Sequence, residues 1–193
     1  MLEAMLRVAS ARGYAHTTVA EVLERAGVGE AEFDGMFESR EDCFLQAYDA
    51  AIDVLAAHVQ AAFNAEAEKD WPERVKAGLC ALVELLATEP DIARMAIVDV
   101  STVGPDAKDR YHVTLERFTP FFEEGRAYAE GGEKLPPETA RFAVGGVGSM
   151  IFDEIRAGRA AELRRILPDL VFAFLMPYLG SEGAEREMKR ILD

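Results

Sequence analysis

Thr17 to Phe44 reads TTVAEVLERAGVGEAEFDGMFESREDCF, and this stretch decides the fold. Thr18 with Glu21 fits the S/T-x-x-E box, in which side chains satisfy the free amides at a helix start. Val19, Val22, Leu23 and Ala26 then place an apolar stripe along a short helix. Gly27 follows where a helix end favours a residue free to take positive φ. Val28 re-enters the core, and Gly29 begins a second short segment whose apolar residues are Phe33 and Phe37. Ser39, with Asp42 three residues on, opens a third helix. Two short helices around a glycine turn form a helix-turn-helix, a device that places its second helix in the DNA major groove.

Residues outside this stretch extend the pattern. Residues 2–12 predict a helix with Leu2, Met5, Leu6 and Ala9 inward and Gly13 at its end. The combination of Ala11-Arg12-Gly13-Tyr14, Thr17-Thr18-Val19, Glu24-Arg25-Ala26-Gly27-Val28, Phe37 and Ser39-Arg40-Glu41 resembles the N-terminal domain of tetracycline-repressor-like (TetR-family) regulators. The resemblance implies a three-helix DNA-binding head over residues 1–47. It also implies a helical effector-binding and dimerisation body over 48–193. By the same resemblance Thr17, Thr18 and Arg40 would hold phosphates, and Gly29, Glu30, Ala31, Glu32, Asp34 and Gly35 would face the bases.

The reading surface departs from the family. Where relatives usually carry Ser-Lys-Gly-Thr-Leu-Tyr-His-His-Phe, this chain has Gly29-Glu30-Ala31-Glu32-Phe33-Asp34-Gly35-Met36-Phe37. Phe33 and Phe37 keep the buried positions, while the exposed ones have become acidic. Phosphate contacts supply most sequence-independent affinity and need positive or neutral donors. A carboxylate can accept from cytosine N4, but three in one short helix oppose a polyanion. Residues 1–47 hold four arginines against nine carboxylates, and the first lysine is Lys69. The net charge of the whole chain is −14, which leaves any basic face small.

With 193 residues, one or two domains are expected, able to bury roughly 70% of the unfolded surface without disulfides or metal. No apolar run approaches the ~20 residues needed to span a bilayer. The early Glu3 and the lack of a small-residue cleavage pattern argue against a signal peptide. Cys43 and Cys80 lack metal-ligand spacing and read as reduced thiols of a cytoplasmic protein. No metal or cofactor is expected.

Downstream, the pattern is helical throughout. A long amphipathic segment from Ser39 to about Glu66 carries Phe44, Leu45, Tyr48, Ile52, Leu55, Val59 and Phe63 at spacings of three and four. Further helices are predicted over 71–88, 91–100, 106–129 with a kink at Pro120, 138–157, 160–179 and 182–192. No convincing strand alternation occurs. The predicted class is all-α, with about nine or ten helices.

Gly145-Gly146-Val147-Gly148-Ser149 lacks the preceding strand that a phosphate-binding loop needs. Small residues for close helix packing explain it better. In the family, this helix and the next form a four-helix bundle across a two-fold axis. The resemblance therefore implies a homodimer with Gly145, Gly148, Ser149, Phe172, Leu175 and Tyr178 at its interface. Met95, Val98, Phe118, Phe121, Phe122, Met150 and Phe152 fall on helices that enclose the effector pocket in relatives. They read equally as a pocket for a small apolar effector or as ordinary core. Adjacent carboxylates such as Glu123-Glu124 point ~100° apart on a helix, and no nucleophile or metal motif occurs, so an enzyme is not expected. Two readings stay open. One is a ligand-responsive regulator, a repressor by the family's usual role, acting on a double-stranded DNA operator. The other is a degenerate TetR-fold dimer that binds a small molecule or a protein without DNA.

Overall fold

The computed structural model describes residues 1–192, which contain helices and no strands. The head comprises α1 (Leu2–Arg12), α2 (Val19–Ala26) and α3 (Glu30–Asp34). Gly27 closes α2 in the left-handed region, with its N–H on the Leu23 carbonyl. That is the conformation a glycine takes without steric cost. α4 (Arg40–Ala65) starts at Ser39, whose hydroxyl accepts from the Asp42 amide at 3.0 Å.

The body follows as α5 (Trp71–Thr88), α6 (Pro90–Ile97), α7 (Pro105–Glu116), α8 (Thr119–Tyr128), α9 (Thr139–Arg156) and α10 (Leu167–Leu192), the last broken at Gly180. Three boundaries differ from the sequence expectation. The helix expected to reach Val100 ends at Ile97 and continues as a 3-10 turn over Asp99–Thr102. There the Ser101 and Thr102 hydroxyls donate to the carbonyls of Val98 and Asp99, offering the backbone an alternative to the α ladder. The helix expected over 106–129 is two helices. Pro120 has no N–H for the Glu116 carbonyl, and the chain tightens to 3-10 bonds from Arg117 to Thr114 and from Phe118 to Leu115. The helix expected from residue 160 begins as a 3-10 turn over Ala160–Ile166, and the α form starts only at Leu167, with Pro168 in its first turn.

Two apolar cores result. The head core joins Met5, Val8, Val22, Phe33, Phe37, Phe44 and Tyr48 to Met95, Ala96 and Val100 from α6 and the turn after it. The body core joins Val59 and Phe63 of α4 to α5, α8, α9 and α10. α4 contributes to both. α1 also leans on α6, and its Arg7 forms a two-pronged pair with Glu89 at the α6 entrance, at 2.7 and 3.0 Å. No helix among the described residues is long and apolar enough to cross a membrane.

At the far end of the body, Trp71 fixes three helices. Its indole N–H donates to the Phe121 carbonyl at 2.9 Å, and its ring meets Tyr178 edge-on with centroids 5.1 Å apart. Gly125 leaves room for that ring, since a Cβ there would lie 2.6 Å from Trp71 and 2.8 Å from Tyr178 Cδ1. The hydrogen bond prevents the indole from swinging away. Gly125→Ala should therefore cost about 1–3 kcal/mol, read as a lower urea midpoint with unchanged helical circular dichroism before the transition.

Candidate DNA-docking head and body cavity

The head's polar side chains are already engaged with one another. Thr17 is fully buried, and its hydroxyl donates to the Gly13 carbonyl at 3.1 Å. Its own carbonyl accepts from Arg40 Nη1 at 2.5 Å, while the Arg40 guanidinium lies 4.5 Å over the Tyr14 ring. Of the three residues matched to phosphate contacts, Thr17 thus has no exposed hydroxyl and Arg40 is tethered. Thr18 forms the full capping box: its hydroxyl accepts from the Glu21 amide, and Glu21 Oε2 accepts from the Thr18 amide at 3.0 Å and hydroxyl at 2.8 Å. Arg12 pairs with the same carboxylate. These partners, the Thr18 hydroxyl first, hold the Glu21 pKa below the ordinary carboxylate range.

α3 presents Glu30, Ala31, Glu32, Asp34 and Gly35 to solvent and buries Phe33. Glu32 folds back so that Oε2 accepts from the Gly29 amide at 2.8 Å, a carboxylate settled at the positive end of a helix. Glu30 and Asp34 make no ion pair among the described residues. Met36, just past the end of α3, is 58% exposed. The exposed face of α3 is therefore a negative surface interrupted only by Ala31 and followed by the apolar Met36. Arg25, at the end of α2, is exposed and makes no ion pair among the described residues.

In the body, helices α4 through α10 all contribute to an apolar cavity of about 100 Å³, walled by residues such as Leu55, Val59, Leu79, Leu82, Leu115, Val147 and Phe174. Its polar groups include Tyr48 and Thr114, whose hydroxyls are 3.1 Å apart, and Tyr111. Phe118 and Phe121 are among the residues that line it. Met95 instead sits in the head core. Val98 and Met150 pack against the body core away from the cavity, and Phe152 lies half-buried under the Arg156 guanidinium. The Phe122 side chain lies outside the described residues.

The residues matched to the dimer interface also separate. Gly145 and Ser149 are exposed on α9, but Gly148 faces inward on the cavity, where a Cβ would lie 3.2 Å from Leu115 Cδ2. Phe172 is half-buried, and Leu175 and Tyr178 are buried within the chain itself. The apolar area left outward on these two helices includes Phe142, 78% exposed, and Met176, 43% exposed. In the sequence Phe142 follows the apolar pattern of helix 138–157 like a core position, and Met176 carries no separate signal. Sequence reading also missed the Tyr48–Thr114 pair, since residues 66 apart in the chain give no local signal.

Residues 1–47 match the family model for bacterial regulatory proteins, tetR family, so the resemblance of the head is borne out. No curated protein matches the chain. Solved structures share its fold over nearly the whole length. The fatty acid degradation regulator FadR from Bacillus halodurans is 15% identical with a TM-score of 0.73, covering 92% of each chain. The transcriptional regulator FadR from Bacillus subtilis, solved in complex with stearoyl-CoA, is 15% identical with a TM-score of 0.72, covering 93% of this chain and 96% of that one. A putative tetR-family transcription regulator from Shewanella sp. PV-4 is 17% identical with a TM-score of 0.69, covering 92% and 93%.

The capping box gives a direct test of the head. A depressed carboxylate pKa adds stability above the unfolded-state value, and that stability is lost as pH falls through the folded value. Thr18→Ala should cost the cap about 1 kcal/mol. It should also return the Glu21 titration, followed by NMR, toward the ordinary range, so that less of the head's stability disappears on acidification.

Proposed function

We propose that this chain is a ligand-responsive, DNA-binding transcription regulator of the tetR type, working as a homodimer. The observation that carries this reading is the placement of the cavity. Its walls include α4, the helix whose first turns are packed into the DNA-docking head. A molecule entering the cavity presses on Leu55 and Val59 of α4 and on Ala96 and Ile97 of α6. α6 in turn carries Glu89 at its entrance and supports α1 through Arg7. A ligand that favours one arrangement of these helices biases the angle of the head by its difference in affinity. That a regulator of this fold binds stearoyl-CoA supports an effector with a hydrocarbon portion, and the apolar walls agree with it. The two-fold contact is assigned to the outward face of α9 and α10, where Phe142, Gly145, Ser149 and Met176 are exposed. Through it, two heads reach successive major grooves of a palindromic operator.

The acidic face of α3 favours a second reading, a TetR-fold dimer that binds its ligand but does not dock on DNA. Charge reversal separates the two. Glu30→Lys with Asp34→Tyr removes two carboxylates that lie on the docking face and restores a cation. If the head docks, fluorescence anisotropy with the protein's own upstream DNA shows tighter binding by the double variant than by the wild type. Its log–log salt dependence should steepen by about one phosphate contact, and a scrambled duplex should bind more weakly. A folded, dimeric double variant that remains inert on that DNA at low salt contradicts docking and leaves the second reading.

A further inference from the structure

The wall of the body cavity gives a ligand almost nothing polar to hold. Among the described residues that line it, none carries a charge and none is histidine, asparagine or glutamine. The hydroxyls of Tyr48 and Thr114 engage each other at 3.1 Å, and Thr114 donates to the Arg110 carbonyl at 2.9 Å. Both residues are buried. Tyr111, the third hydroxyl bearer on the wall, adds little polar surface to it. What remains is carbon, from residues such as Ile52, Leu55, Leu79, Leu115, Phe121 and Val147.

One position keeps this space open against the preference of its own helix. Gly78 lies within α5, where a Cβ would meet Val59 Cγ1 at 3.5 Å and Phe63 Cβ at 3.7 Å. Those are ordinary van der Waals contacts, so packing admits alanine, the better helix former. Glycine leaves that room to the cavity.

From these walls we infer that the cavity takes a small hydrocarbon, one ring or a short chain, that carries no polar group. A hydroxyl brought inside finds no free partner and keeps its desolvation penalty. A carboxylate finds no cation. The size agrees, because an engineered apolar cavity of about 150 Å³ stays dry and binds benzene. At about 100 Å³, this one suits such a ring after a small outward movement of aliphatic walls, and a long acyl chain exceeds it. The inference rests on the effector-site reading and narrows its ligand from a molecule with a hydrocarbon portion to a hydrocarbon alone.

Isothermal titration calorimetry of the full chain with toluene, phenol, benzoate and stearoyl-CoA tests it. Phenol replaces the methyl of toluene by a hydroxyl of similar size. Toluene should bind, phenol about tenfold more weakly, and benzoate and stearoyl-CoA not measurably. Toluene should also shift the methyl NMR signals of Leu79, Leu115 and Val147. Val147→Phe, which fills the cavity from α9, should abolish binding. Gly78→Ala should weaken it without lowering the urea midpoint, and it serves where Val147→Phe does not fold. Phenol equal to toluene would overturn the proposal by revealing a polar anchor. So would tight binding of benzoate or stearoyl-CoA, full toluene affinity in either folded variant, methyl shifts that miss the cavity, or no toluene binding by the folded chain. These affinities are measured without DNA. A head that fails to dock therefore sinks the regulator reading alone, and a lost preference for toluene sinks the ligand class alone.

Discussion

The structure depends on one helix being buried at both ends in different cores. α4 runs for 26 residues, about 39 Å at 1.5 Å per residue. Its first turns supply Cys43, Phe44 and Tyr48 to the head, and its later turns supply Val59 and Phe63 to the body. A helix this long is effectively rigid between those anchors, so displacement at one core must appear at the other. Tyr48 stands where the two meet. It is packed in the head core, yet its hydroxyl reaches Thr114 on the cavity wall. Asp49 and Asp53 pair with Arg110 and Arg117 of the α7 region on the solvent side of the same contact.

The head shows how a fold can be retained while its surface changes. Buried positions are satisfied from within: Phe33 against Phe37, Tyr14 against Phe44, and Thr17 bonded to Gly13. None of these needs a partner molecule. Glu32 even serves the skeleton, capping its own helix at Gly29, so one of the three acids has a structural reason to be present. Glu30 lies in the first turn of the same helix, where an acid is favourable, and Asp34 makes no ion pair among the described residues; together they set the electrostatic character of the exposed face of α3. Arg40 has two attractions inside the protein, the Thr17 carbonyl and the Tyr14 ring, which a phosphate would have to match.

The head was legible in the sequence because its determinants are local. Capping boxes, a left-handed glycine and an i,i+4 pair of phenylalanines all act within a few residues, and α1 and α2 lie within the ranges read from them. The body was legible in its helices and less so at their ends. Pro120 as a break rather than a kink depends on 3-10 bonds that periodicity does not encode. Side-chain direction was the harder quantity. Gly148 and Leu175 follow a helical stripe as well as Gly145 does, but which side of α9 or α10 meets the core depends on packing by α5 and α7. Met95 was placed with the pocket because it is apolar and on α6, and it packs on the other side, against α1.

The most direct measurement is hydrogen–deuterium exchange of the wild-type chain with and without toluene as the cavity probe. Rigid coupling through α4 predicts altered exchange at the cavity walls and also in the first turns of α4 and in α1, where Arg7 holds the α6 entrance. A change confined to the walls around Leu79, Leu115 and Val147, with the amides of residues 1–47 untouched, would contradict it.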